Sequence, residues 1–498
     1  QSGSSYIQIN YEYDFAGKQT REEGCLQYAN DVRQGYYETK YTYDYNGNPL
    51  SKEVFDDDKY YITEYTYDHR NRVKQKKKPY KDAESKKITT YTYDGKGNVI
   101  GEVLMKQGTA CSKTYEYDGT GNLIRETDET DKTTRYVYDE NGNRIKEIDP
   151  RYYTDESKID TAPCIETEYD ALNRPVRSIA RNGDTSFVIS YFEYDSRGNI
   201  IKKVDSEGYN GSNPSASIGE EYEYDVMNRV IRHVSAETAR YNTENESDRF
   251  TKKYTYDGAG NILTEEDAYG NITRNTYLLN GLLKDKVYPD GAKETYSYDL
   301  TGKVELVFTD RAGNVTKKYM NVFGSPYRQE YPDGTSESFE YNNLGKVTRS
   351  IDRMGNSKYF EYDPAQNVTT AMEYIGTKGQ YELYRKICST YDEAGNILSR
   401  ETFLFEKPLI SGAEENHKSA GDKTVYKYDD ASRVTKIIGP NGREIRNQYD
   451  AKGNLSLTES KTAEGKYDVK RYSYDLLSRL TEEITLVESS AIEPSYLA

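Results

Sequence analysis

Apolar and polar residues alternate along this chain in short bursts, and each burst breaks at the same point. In "YTYDGKGNVI" (91–100) one polar residue separates Tyr91 from Tyr93, Asp94 opens a polar stretch, and Val99 and Ile100 resume an apolar one. A period of two places both rings on one face of a β-strand. Asp favours the first position of a turn, where its carboxylate accepts a backbone N–H. The pattern therefore predicts a strand, a tight turn and a second strand. Near-copies begin at 115 ("YEYDGTGNLI"), 191 ("YFEYDSRGNII"), 254 ("YTYDGAGNIL"), 391 ("YDEAGNIL") and 449 ("YDAKGNLS").

The Tyr before the Asp serves as a marker. It occurs 16 times with Asp following, and three degraded copies at Tyr277, Tyr319 and Tyr341 bring the total to 19. The residue four positions after the marker is Gly in 12 copies and Asn in three (Asn71, Asn173, Asn228). Both tolerate a positive φ, which predicts a hairpin on a type I turn closed by a left-handed residue. The repeat-turn residues are represented by Tyr43, Asp44 and Gly47; Tyr93, Asp94 and Gly97; Tyr117, Asp118 and Gly121; Tyr256, Asp257 and Gly260; and Tyr391, Asp392 and Gly395. Gln366, Ser432 and Ser478 are poorer residues at that position and predict looser turns. Tyr319 reads as one residue out of register, with Gly324 five positions on.

A second Gly-centred turn closes each short repeat, as in "DAYGN" (267–271) and "YPDGA" (288–292). The shortest unit is 21 residues, as from Tyr256 to Tyr277, so about 38 strands follow one another in an antiparallel meander, and no stretch reads as a helix. A fixed period of this length signals a repeat architecture. The first turn keeps its length in 18 of 19 copies, whereas long inserts fall around the second turn, at 144–166, 205–221, 235–252, 372–388 and 402–424. In a meander all first turns share one edge. The expectation is one smooth rim and one ragged rim carrying loops. A strip this long twists and must curl, close or wind into a spiral. The expected fold is all-β, with the repeats at about 11–480 of a single domain spanning 1–498 and a terminal strand and tail at 481–498.

Composition sharpens this picture. There are 53 Tyr, 11 Phe and no Trp, with 35% hydrophobic residues and a mean hydropathy of −0.99. A thick aliphatic core is excluded, and disorder is too, because disordered chains are poor in aromatics. Tyr suits a wall packed on one side and wet on the other. The net charge of −16 argues against nucleic acid, which needs basic patches. Cys25, Cys111, Cys164 and Cys388 lie far apart with no CxxC pair, so no disulfide framework is implied. No run of 18 apolar residues suggests a membrane span, and no signal peptide is visible. The start at Gln1 reads as a processed or excised piece.

The YDxxGN unit, repeated at 21 residues with a second Gly turn, resembles the YD or RHS repeat family. That family includes the shell-forming C component of bacterial insecticidal toxin complexes, Rhs polymorphic toxins, wall-associated proteins and teneurins. The resemblance implies a β-ribbon spiralling into a hollow shell, and a role in enclosing a C-terminal toxin or in extracellular contact. It also implies a DPxG-type self-cleavage site in toxin-bearing members. That site is not found: Asp149-Pro150 is followed by Arg-Tyr, and Asp363-Pro364 lies inside a repeat turn.

Candidate chemistry is sparse. His69, His233 and His417 lie far apart, and neither HExxH nor GxxxxGK[ST] occurs. The motif Asp reads as a turn former rather than a metal ligand, since no DxDxDG is present. The Tyr stripe reads as cross-strand packing, with equivalent rings of successive repeats as neighbours, rather than as a glycan-stacking surface. No catalytic, cofactor or metal site is expected. The expected role is a non-enzymatic wall segment of a secreted or cell-surface protein, enclosing a toxin or an adjoining polypeptide. The rival is an adhesin binding glycans or proteins through its inserts; an enzyme assembled from inserts ranks last.

Overall fold

The computed structural model describes residues 9–29, 32–56, 59–82, 84–182, 186–236, 250–299, 305–321, 324–375, 382–410, 421–463 and 466–489. Within them are 38 strands, β1 (Ile9–Tyr13) to β38 (Leu480–Ser489) in chain order, and two short 3-10 turns, Glu156–Lys158 and Pro214–Ala216. Each strand pairs antiparallel with the next, and all belong to one sheet. Among the described residues β1 pairs only with β2 (Gln19–Ala29) and β38 only with β37 (Lys466–Tyr474), so the ribbon does not close edge to edge.

The hairpin of β7 (Lys86–Tyr93) and β8 (Val99–Lys106) shows the repeat geometry. The register slips at the marker Tyr, between Thr92 and Tyr93. The Asp94 N–H donates to the Asn98 carbonyl at 3.0 Å, the Gly97 N–H donates back to the Asp94 carbonyl at 3.4 Å, and Gly97 has φ 109°. This is a type I turn followed by a bulge residue in the left-handed region.

Two sequence expectations need correction. Gln366, Ser432 and Ser478 adopt φ 66°, 64° and 60°, and their closing bonds to Asp363, Asp429 and Asp475 measure 2.8, 3.0 and 3.1 Å. These turns are as tight as the glycine ones. A left-handed L-residue costs about 1–2 kcal/mol, and the same Asp-centred hydrogen bonds hold it in place. Tyr319 is not the marker of its repeat. Met320 is: it pairs with Pro326 at the register slip, the Asn321 N–H donates to the Ser325 carbonyl, and the Gly324 N–H donates to that of Asn321. The first turn keeps its length there too, with Asn321 in the place of Asp.

The ragged rim is built in two ways. Some length variation becomes strand rather than loop: β30 (Val368–Ile375), β31 (Glu382–Tyr391) and β32 (Ile397–Ile410) absorb most of 372–388 and part of 402–424. Other inserts fold back onto one face of the wall. That face carries the residue between the two Tyr of each motif, and its cross-strand rungs are polar. Arg21 meets Glu12 at 3.0 Å, Arg125 meets Glu116 at 2.6 Å, Arg232 meets Glu223 at 2.7 Å and Arg349 meets Glu340 at 3.0 Å. Exposed pairs of this kind contribute about 0–1 kcal/mol each, so they fix register more than they hold the fold. Glu156, in the insert after β12 (Arg144–Ile148), reaches Arg125 and Arg135 on this face. Tyr209, from the 205–221 insert, packs on Tyr191 with centroids 5.7 Å apart and accepts from Arg177 at 3.1 Å. The register puts the fully buried aliphatics Ile148, Val204, Val234, Leu457 and Val469 on this face as well. The insert at 235–252 lies largely outside the described residues.

The ribbon winds back on itself. Residues 286 to 326 apart in sequence touch, and among the described residues most such contacts have the same form: a first turn of the later coil sits on a second turn of the earlier one. Asn343 donates to the Phe55 carbonyl at 2.8 Å. The Tyr80 hydroxyl donates to Glu393 at 3.2 Å, and Lys106 donates to the Ser432 hydroxyl at 2.8 Å. The smooth rim of one coil is thus seated on the ragged rim of the coil before it, and the sheet is a spiral.

Candidate functional site

The motif residues form the sites that join repeat to repeat and coil to coil. The first-turn Asp does the local work. Asp94 Oδ1 accepts the N–H groups of Lys96, Gly97 and Asn98 at 2.9, 2.7 and 2.9 Å, and Oδ2 accepts the Asn98 side-chain amide at 2.9 Å. Asp44, Asp118, Asp257 and Asp392 likewise accept the Asn side chain four residues on at 2.8–2.9 Å. Gly47, Gly97, Gly121, Gly260 and Gly395 all have positive φ, from 83° to 109°. The final Asn of YDxxGN is therefore a side-chain ligand of the Asp.

The marker hydroxyl does the work between repeats. Tyr43 donates to the Gln19 carbonyl at 2.8 Å, Tyr93 to Val73 at 2.8 Å, Tyr256 to Val230 at 2.6 Å and Tyr391 to Val368 at 2.8 Å. The acceptor is always the carbonyl just past the first turn of the preceding repeat. This explains why the position is Tyr and not Phe. Equivalent marker rings do not stack on one another as the repeat suggested; ring pairs among the described residues lie elsewhere, as at Tyr296–Phe308 and Tyr359–Tyr374. Several marker rings, Tyr43, Tyr93, Tyr194, Tyr256 and Tyr449, take a cation instead.

Those cations reveal a coupling that the residue-by-residue reading missed. Where the left-handed residue is Asn or Ser, the next is Arg: Asn71-Arg72, Asn173-Arg174, Asn228-Arg229, Ser432-Arg433 and Ser478-Arg479. The Arg Nε replaces the Asn amide on the Asp, at 2.7 Å for Arg72 and Asp68. Its guanidinium then lies over the next marker ring, 4.4 Å from the centroid for Arg72 and Tyr93 and 4.6 Å for Arg174 and Tyr194. Arg72 also donates to the Asp94 carbonyl at 3.0 Å. The paired GN and NR/SR endings were visible in the sequence as a covariation within one chain.

The strongest coil-to-coil contact is a clasp at Arg151. Its Nε and Nη2 grip Asp149 at 2.8 Å each, its Nη2 donates to the Asp475 carbonyl at 3.0 Å, and its Nη1 donates to the Tyr474 carbonyl at 3.2 Å and to Asp450 at 3.4 Å. Lys452 adds a bond to Asp149 at 3.2 Å. The Asp149 side chain is only 3% exposed. Burial pushes its carboxyl up, but the Arg151 hydrogen bonds and charge outweigh this and leave it below the usual carboxylate range. Beside the clasp Leu476 is 1% exposed and lines a pocket with Pro150 and Ile165.

Residues 117–154 and 428–467 match the RHS repeat. The chain carries RHS repeats. Both matched segments open on a marker Tyr, Tyr117 and Tyr428, and the second contains Asp450 and Lys452 of the clasp. No curated protein matches the chain. Among solved structures it is similar to a chain of the TcdB2–TccC3–Cdc42 crystal structure, with 15% identity, TM-score 0.50, and coverage of 96% of this chain and 30% of that one. It is also similar to a chain of a Photorhabdus luminescens Tc holotoxin pore with a substituted TccC3, with 15% identity, TM-score 0.51, and coverage of 97% and 30%. The likeness is one of fold, and this chain spans about a third of the length of either.

The remaining candidate residues lie apart. His69 is exposed in a first turn of an RHS repeat. His233 stacks on Tyr222, with centroids 4.7 Å apart and planes at 11°. His417 falls outside the described residues, within which no His, Cys, Asp or Glu group could hold a metal ion. Cys111 and Cys164 are buried, and Cys388 is partly exposed; none of the three is in a disulfide. No helix among the described residues is long and apolar enough to cross a membrane.

Two predictions arise from the RHS turn. Tyr256→Phe removes one inter-repeat hydroxyl and leaves the Val230 carbonyl unpaired, at a cost of about 1 kcal/mol; amide exchange should rise in the two hairpins flanking Tyr256 and nowhere else. The second concerns acid. Hydrogen bonds from the partner side chains and backbone hold Asp44, Asp139 and Asp257 below their usual value. A group with a depressed folded pKa contributes stability above its unfolded value and loses it as pH falls through the folded one. Protection factors of the first-turn amides should stay flat down to about pH 4, the ordinary Asp value, and fall below it.

Proposed function

We propose that this chain is a wall segment of a hollow shell that encloses a polypeptide, either a C-terminal toxin or an adjoining partner, in a secreted or cell-surface protein. The observation that carries this reading is the winding. A single continuous sheet that seats its own smooth rim on its ragged rim, through contacts from Phe55–Asn343 to Arg151–Asp475, encloses space as a coil and not as a flat strip. The similar Tc toxin chains support it at the level of fold. Within the proposal the whole of 1–498 acts as one repeat domain, and the motif residues from Tyr43 to Gly395 serve as its joints and not as a reactive centre.

The test is limited proteolysis of the full-length natural protein with intact mass analysis. A C-terminal segment that is cleaved yet stays associated and protease-resistant until the shell is denatured is the expected result. Flanks that digest freely while the repeat region survives alone would refute enclosure and favour an exposed scaffold.

A further inference from the structure

Many cations of this acidic wall are committed to a carboxylate, a ring or a carbonyl, but two that are not stand directly opposed in the ladder, beside a third that meets only a ring. β6 (Val73–Pro79) and β7 contain Lys76, Lys78 and Lys87. Lys78 lies directly opposite Lys87 in the ladder, and Lys76 lies opposite Thr89. All three belong to the face that carries Tyr65 and Tyr91, since Tyr65 pairs with Lys76. Like charges directly opposite each other in a sheet are destabilising. In a chain of net charge −16, such a conflict between local charge and fold marks a position held for another reason.

The neighbouring acids do not resolve it. Asp392 of the later coil is close enough to act on Lys87, but its Oδ1 accepts the Ala394 and Asn396 N–H groups and its Oδ2 the Asn396 amide. Glu393 accepts the Tyr80 hydroxyl on one oxygen and the Gln107 N–H on the other. Glu102 acts on Lys87 from β8 without an ion pair to it. Lys106 is already bound to Ser432. Among the described residues Lys78 and Lys87 have no ion pair, and Lys76 only stands 5.4 Å from the Tyr65 ring centroid. Burial and the charge of Lys76 push the Lys78 ammonium below its usual value, and burial and the charge of Lys78 do the same to Lys87, the direction a bound anion would reverse.

We propose that Lys76, Lys78 and Lys87 form a binding site for a phosphate- or sulfate-bearing ligand beside the coil-to-coil seam. Directly opposed residues have Cβ atoms about 5 Å apart, and residues two apart along a strand lie about 7 Å apart. Three ammoniums on a triangle of that size can surround a tetrahedral oxyanion and reach different oxygens of it. Lysine acts there as a point charge.

Calorimetric titration of the intact chain at low ionic strength tests this, with inorganic pyrophosphate in one arm and a sulfated disaccharide in the other. The expected result is saturable binding in at least one arm, and the arm that binds identifies the source of the oxyanion. Affinity should fall about tenfold or more in Lys78→Gln/Lys87→Gln, since two of three charged hydrogen-bond donors are lost. It should be unchanged in Lys77→Gln/Lys86→Gln, which removes the same charge from the opposite face of the same two strands. No saturable binding in either arm, or an equal loss in both variants, overturns the proposal. The first variant removes opposed like charge and both keep the strand pairing, so circular dichroism should match the parent.

Discussion

Arg151→Ala opens the seam while leaving the ribbon intact. The guanidinium joins one buried carboxylate to two backbone carbonyls and a second carboxylate on the later coil. Removing one member of a buried pair costs about 3–5 kcal/mol because the other charge is left behind. Lys452 stays within 3.2 Å of Asp149, so the lower end, about 3 kcal/mol, is expected. A long repeat array is not two-state, which makes a global melting temperature the wrong readout. Amide exchange should rise in the turn at 474–478 and around 149–153, with the ladder of β6–β8 unchanged. Arg151→Lys should fall short of rescue, because an ammonium keeps the charge but loses the fork that reaches both coils. The sign with pH follows from Asp149: its carboxyl sits below the usual range, so the clasp holds at neutral pH and weakens only as acid protonates it. Equal exchange in parent and variant would show that the coils are held elsewhere.

Leu457→Ala is expected to cost about 2–5 kcal/mol, the range for truncating a buried leucine. Leu457 is 1% exposed and clusters with Val469 at 0% and Tyr467 at 7%. Large effects of this kind are rare in a wall this polar, since few side chains are fully buried. Stability in a stacked array is a sum of neighbour terms. The damage should therefore stay within the hairpins from β35 (Glu444–Tyr449) to β38, read as lost exchange protection there and none in β1 to β10 (Leu123–Thr127). Loss of protection along the whole ribbon would mean that the repeats fold as one cooperative unit.

Much of the wall was legible in the sequence because its rules are local. Period-two tyrosines, an Asp turn opener and a left-handed fourth residue specify a hairpin without reference to anything distant, and the strand number followed from counting. Local rules misled where a neighbour compensates: Ser432 and Ser478 look unsuited to their turns until Arg433 and Arg479 are seen on the same Asp. The seam was not legible. Arg151 sits where repeat length varies most, around a second turn, and its partners on the later coil are 299 to 324 residues away. The lysines of "KQKKK" were in plain view, but only the ladder register shows that Lys78 faces Lys87 while Lys77 points the other way.

The seam also turns repeat number into a measured length. Its contacts pair particular turns, from Phe55 with Asn343 to Arg151 with Asp475. Gain or loss of one unit between those partners would slide every later turn past its seat and bring Arg151 opposite the wrong carbonyls. Among the described residues, units before β4 (Pro49–Asp56) lie outside any such pair, and their gain or loss would leave the seam in register. A lineage that grows this wall by tandem duplication is thus free before β4 but constrained in the middle, and its circumference is inherited as a count.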